Sequence, residues 1–249
     1  MSQYQLKPYL FILMLLLSLF STQASAAFKV EPISQTFNLA QRNTQNVFKI
    51  INSANKPTAV QVRITTRKQN LDGSEQRQDA DDQFLIYPPQ LIIPPQVTQK
   101  VKVQWLGELD LKQEQAYRLI VEQVPVKLSK EEKTGVKLIL TIEGTIYVVN
   151  SDNWHSDIQV EKVQAEKTKE GNKLALTLSN RGKAHSILHK LEVIVTQNGK
   201  SLTLRDEQVK GVEGMNVLSG ATRKFLLPWP KELQTSGKIE AKIKFKEKQ

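Results

Sequence analysis

The side chains whose types and spacing could do chemistry are few. His185 and His189 stand four apart, which suits two metal ligands on one helical face, but Ser186-Ile187-Leu188 between them reads as strand or loop. His155 is the only other imidazole, and the chain has no cysteine and no carboxylate at a useful distance from the pair. Ordinary polar contacts are the expectation for the histidines, and no metal is implied. Asp79, Asp81 and Asp82 suggest a calcium loop, but the glycine and the terminal glutamate are missing, which leaves a solvated acidic turn. No serine sits in a Gly-x-Ser-x-Gly elbow, there is no cysteine nucleophile, and no glycine-rich loop is present to cradle phosphate. The chain therefore reads as a non-enzyme that needs no cofactor.

A different chemistry is written in Val136, Leu138, Leu140 and Ile142, which share one face of a strand while Lys137, Ile139, Thr141 and Glu143 share the other. One reading is simply another core strand, since any half-buried strand alternates. The other is strand addition, in which backbone hydrogen bonds hold a partner and alternating side chains select it. Burying a Val, Leu or Ile stabilises by about 1.5 to 3 kcal/mol, so four of them could hold a partner before ordering costs are subtracted. The charged stretch from Lys127 to Lys133 beside this strand would discourage self-pairing, although the free form stays open to self-association.

The elements that position these residues read almost entirely as strands. Phe28-Lys29-Val30 opens, Val47 to Asn52 follows, and Val60, Val62 and Ile64 alternate with Gln61, Arg63 and Thr65. Phe84 and Ile86, then Leu91 to Ile93, form apolar runs bounded by proline pairs, and proline is confined to strand ends, edges and bulges. Val101, Val103 and Trp105 alternate with Lys100, Lys102 and Gln104. A polar break at Asn150-Ser151-Asp152-Asn153 divides the chain. Beyond it Leu174, Leu176 and Leu178 alternate with small or polar residues. Leu191, Val193 and Val195 lead to the hairpin signal Asn198-Gly199, and Ile239, Ala241, Ile243 and Phe245 mark a last strand. The pattern predicts an all-β protein of two sandwiches in tandem, each of about seven strands, over residues 27–149 and 154–249 with a linker at 150–153.

Lys7, the apolar run from Tyr9 to Phe20 and the small-residue site Ala24-Ser25-Ala26 read as a secretory signal peptide over residues 1–26, with an uncleaved anchor as the alternative. Its removal leaves 223 of the 249 residues, enough for two domains, and neither domain can draw on a disulfide. Net charge is +10 for the whole chain. The few aromatic residues are not interleaved with lysines as a nucleic-acid stacking platform requires, so nucleic acid is excluded as a partner. Either a solvated basic surface or attraction to an acidic partner remains.

Tyr87-Pro88-Pro89, the turn at Pro94-Pro95, the strand Gln99 to Val103, and Tyr117-Arg118-Leu119 closing at Val124-Pro125 occur here in order. In this register the chain resembles the periplasmic pilus chaperones of the chaperone-usher pathway, and in detail the archaic branch. The resemblance implies two immunoglobulin-like domains, a periplasmic location, pilus subunits and an outer-membrane usher as partners, and no cofactor. It also implies that the strand carrying Val136, Leu138, Leu140 and Ile142 is lent to an incomplete subunit. Many relatives clamp the subunit's terminal carboxylate with two basic residues, but those positions are Ser34 and Thr145 here. Archaic members look similar in lacking the clamp, which turns attention to Arg118, supported by Lys127 or Lys102. Arg118 reads equally as a surface arginine or a member of an internal ion pair. The alternative functions are an exported structural or adhesive surface component and, more remotely, a hydrolase.

Overall fold

Period-two alternation gives each strand one apolar face, and two such faces must be set against each other to leave water. The structure, a computed structural model, describes residues 28–125 and 139–247. The expected signal peptide, Lys127, Val136 and Leu138 lie outside the described residues.

The first part of the chain forms β1 (Phe28–Glu31), β2 (Ser34–Asn38), β3 (Gln45–Asn52), β4 (Thr58–Thr66), β5 (Lys68–Gln69) and β6 (Glu75–Gln76). It continues with β7 (Phe84–Tyr87), β8 (Gln90–Ile93), β9 (Thr98–Trp105), β10 (Gln115–Gln123) and β11 (Thr141–Val149). One sheet has the order β1-β3-β9-β7 and the other β2-β11-β10-β4-β8, while β5 and β6 form a small separate ribbon. All pairings are antiparallel except β2 with β11. Phe28, Phe48, Ile50, Ile64, Leu119 and Ile146 are fully buried between the two sheets.

The second part forms β12 (Ile158–Thr168), β13 (Gly171–Asn180), β14 (Ser186–Ile187), β15 (His189–Gln197), β16 (Lys200–Leu204), β17 (Asn216–Val217), β18 (Thr222–Pro228) and β19 (Ile239–Lys246). Its sheets run β12-β13-β18 and β16-β15-β19, with β14 and β17 as a short extra pair. Leu174, Leu176, Leu178, Leu188, Val193 and Val195 fill its core. The expected hairpin closes at Asn198 and Gly199, both at positive φ, as a two-residue turn of the primed type requires.

The all-β expectation holds, with two differences. Short added strands raise the count above seven in each half: β5 and β6 form a ribbon of their own, β14 and β17 an extra pair, and Pro88-Pro89 separates β7 from β8. The strand expected over 136–142 pairs, within the described residues, from Thr141 onward, and the Leu140 carbonyl accepts from Gln123 N at 2.9 Å.

Two buried asparagines close corresponding loops. Asn52 donates to the carbonyls of Lys56, Ile93 and Pro94 and accepts from Ala54 N. Asn180 donates to the carbonyls of Ala184 and Val217 and accepts from the backbone of Asp157 and Gly182. Each satisfies loop groups that would otherwise be buried unpaired, which costs about 1 to 3 kcal/mol per group.

Phe84 is the centre of an aromatic cluster, edge-on to Phe37, Trp105 and Tyr117 at centroid distances of 5.9, 5.0 and 4.9 Å. Such pairs add about 0.5 to 1.5 kcal/mol beyond area burial. Phe84→Ala should therefore lower the free energy of urea unfolding by about 3 to 5 kcal/mol. A loss under about 1 kcal/mol would show that the cluster does not anchor the two sheets.

Candidate functional site

The site is built on β11 and the outer face of its sheet. β2 covers β11 only from Thr145 to Val149, so among the described residues 141–144 are paired on one side alone, with β10. The chain crosses over at that point. Thr145 N donates to the Ile33 carbonyl at 2.8 Å, and a Cβ on Gly144 would come within 3.0 Å of the same oxygen. Gly144 thus admits a close backbone approach, and a larger residue would require that carbonyl to give by a few tenths of an ångström. Leu140 and Ile142, half-buried, pack against the rim of the first core.

On the outer face, Thr65, Arg118, Thr145 and Ser34 stand opposite one another across β4, β10, β11 and β2. The two positions singled out in the sequence, Ser34 and Thr145, are therefore cross-strand neighbours in one row with Arg118. Arg118 donates from Nε and Nη2 to Glu75 at 3.0 and 2.6 Å and from Nη1 to Thr145 Oγ1 at 2.8 Å. Glu75 lies on β6 and also receives Arg67 Nε at 2.6 Å and Arg77 Nη2 at 2.7 Å. Arg77 completes the cluster with a two-point contact to Glu143, at 2.6 and 2.7 Å. Three guanidiniums thus face two carboxylates, an excess of one positive charge.

Burial of Glu75 opposes its ionisation, but hydrogen bonds from Arg118, Arg67 and Arg77 outweigh this and bring its pKa from 4.5 to about 2. Glu143 is also held below its usual range, chiefly by the hydrogen bond from Arg77.

Of the other candidates, Lys102 stands on the outer face of the opposite sheet, exposed between the inward Val101 and Val103. The first core lies between it and Arg118, so Lys102 does not support Arg118 as expected. The reason is that alternation shows which residues face outward but not which of two outer faces they occupy.

A second cluster joins the two halves, and sequence reasoning missed it. Glu114, just before β10, accepts from His185 N at 3.2 Å and contacts His185 Nδ1 through both oxygens at 2.9 and 2.8 Å. Tyr147, on the outer face of β11, stacks on the His185 ring at 3.7 Å and 6°. Its hydroxyl accepts from Asn216 Nδ2 at 2.7 Å. The β5–β6 ribbon adds Gln69, whose side chain donates to the Asn216 carbonyl and accepts from Leu218 N. Tyr147 packs into the second core, while Trp154 packs against the first.

A family model for the pili and flagellar-assembly chaperone, PapD N-terminal domain, matches residues 29–151. None of the curated proteins matches the chain. Among solved structures, the CsuC-CsuE chaperone-tip adhesion subunit pre-assembly complex, from the archaic chaperone-usher Csu pili of Acinetobacter baumannii, is similar with a TM-score of 0.58. That match has 17% identity and covers 87% of this chain and 98% of the other. A chaperone-tip adhesin complex of CFA/I fimbriae biogenesis has a TM-score of 0.53 at 12% identity, over 89% and 99% of the two chains. The class 5 fimbriae chaperone CfaA has 0.52 at 13%, over 86% and 98%. At such identities the likeness is one of fold.

The depressed Glu75 pKa links the cluster to pH. A carboxyl whose folded pKa lies below its unfolded value stabilises the fold fully above the unfolded value, and this contribution is lost as pH falls through the folded one. Glu75→Gln should be less stable than the parent at neutral pH, with the gap shrinking between pH 4.5 and about 2. A gap in urea unfolding energy that stays constant down to pH 2 would contradict the shift.

Proposed function

We infer function from the premise that, through residues 29–151, this chain belongs to the pili and flagellar-assembly chaperone family. The chain is a pilus-assembly chaperone, exported by residues 1–26 to the periplasm, that captures pilus subunits and delivers them to an outer-membrane usher. The observation that carries the mechanism is the half-covered β11. Its open stretch, 141–144, offers an unpaired ladder to an incoming strand, and the alternation of Leu140 and Ile142 continues into Leu138 and Val136 outside the described residues. An incomplete subunit adds its strand along this edge, and the apolar side chains enter its groove. No nucleotide or metal takes part in such a step.

Arg118 is the anchor for the subunit's terminal carboxylate. It shares a row with Thr145 and Ser34, where many relatives carry basic residues, and its planar fork suits two-point contact with a carboxylate. Lys127, outside the described residues, is the remaining supporting cation.

Co-purification with a subunit encoded beside the gene tests the strand. Leu138→Asp with Leu140→Asp should leave a folded chaperone that no longer retains the subunit, because a charge cannot enter an apolar groove unpaired. Undiminished complex formation would remove this strand as the donor.

A double-mutant cycle tests the anchor, using Arg118→Ala against subunits with free and amidated carboxy termini. Loss of a buried pair costs about 3 to 5 kcal/mol and of an exposed one about 0 to 1. A coupling energy near the buried range is expected, and simple additivity would exclude Arg118.

A further inference from the structure

We propose that Glu75 holds the place of the subunit's terminal carboxylate, so that capture exchanges one carboxylate for another on Arg118; this rests on Arg118 being the anchor. Glu75 already makes the contact that an arriving carboxylate would make. Both its oxygens meet the Nε and Nη2 edge of Arg118, at 3.0 and 2.6 Å, in the fork-to-fork arrangement that a free peptide end also adopts.

The exchange does not strand Glu75. Arg67 Nε at 2.6 Å and Arg77 Nη2 at 2.7 Å keep hold of it after Arg118 turns to the subunit. β6 belongs to a ribbon outside the two main sheets, so a shift of Glu75 breaks no ladder of the sandwich. The cluster carries one positive charge in excess, which an added carboxylate neutralises.

A separate observation also points to a ligand. Thr65, opposite Arg118 in the ladder, is buried and its hydroxyl has no hydrogen-bond partner. Buried hydroxyls are rarely left so, and this one is a spare donor beside the place where the second carboxylate arrives. Thr145 Oγ1, which accepts from Arg118, has its own proton to give.

The exchange makes Glu75 a specificity-determining residue. A neutral peptide end cannot replace a carboxylate on a guanidinium, so it leaves Glu75 where it is and gains nothing from Arg118. Only a chain with a free carboxylate at the right distance opens the pair. Glu75 also keeps Arg118 from being an unpaired buried cation while no subunit is bound.

The test uses synthetic peptides copying the subunit's final strand, one ending in a free carboxylate and one amidated, titrated into the full-length parent, Glu75→Gln and Arg118→Ala chaperones. Glu75→Gln should tighten the free-carboxylate peptide about tenfold and change the amidated one by less than about twofold. Glu75→Asp, which keeps the charge on a shorter arm, should shift affinity in the same direction and serves if Glu75→Gln does not fold. Equal changes for the two peptides, or no tightening in a folded variant, would overturn the exchange. If Arg118→Ala treats the two peptides as the parent does, the anchor reading itself falls.

Discussion

A strand in a sandwich has two faces and two edges, and β11 uses all four. One face gives Ile146 and Val148 to the first core, and the other presents Glu143, Thr145 and Tyr147 to charge and to the second domain. One edge is fully paired with β10, while the other is covered by β2 only from Thr145 onward. Because the backbone period is two, none of these uses can move by one residue without exchanging core for surface. The open edge, the row of Arg118 with Thr145 and Ser34, and the aromatic contact to His185 are thus held in a fixed relation by one register.

Electrostatics follows from that register. Arg118 sits in the apolar middle of β10, with Leu119 and Val121 facing the core, and its neighbours leave it little water. A guanidinium so placed needs a carboxylate, and β10 and its direct ladder partners supply only Glu122, which lies beside Arg63, and Glu143, which Arg77 takes. The β5–β6 ribbon exists where it can bring Glu75 over the sheet. The same ribbon reaches the second domain through Gln69, so ion pairing on the first sheet and docking of the second domain share one short piece of chain.

Much of this was legible in the residues, because alternation and proline are local signals. The strands on either side of Pro88-Pro89 and the hairpin at Asn198-Gly199 follow from spacing along the chain, whereas Ser34 and Thr145 are singled out by the family resemblance and prove to be ladder partners. The choice of partners for buried charges does not. Glu75 meets Arg118 across 43 residues and Glu114 meets His185 across 71, and neither carboxylate lies in a pattern that distinguishes it from the solvated acids around it. Lys102 shows the limit from the other side. Its outward orientation was plain, but only the order of strands in the two sheets reveals that it faces away from Arg118.

The contact of Glu114 with His185 and Tyr147 has a consequence for how the molecule comes apart. Its members are hidden from solvent and come from opposite halves of the chain. Were one sandwich to melt alone, the survivor would lose the stacking and the hydrogen bonds made across this contact and would open to water the face that holds them. The two halves are thereby coupled, and melting of either one carries the loss of this contact with it.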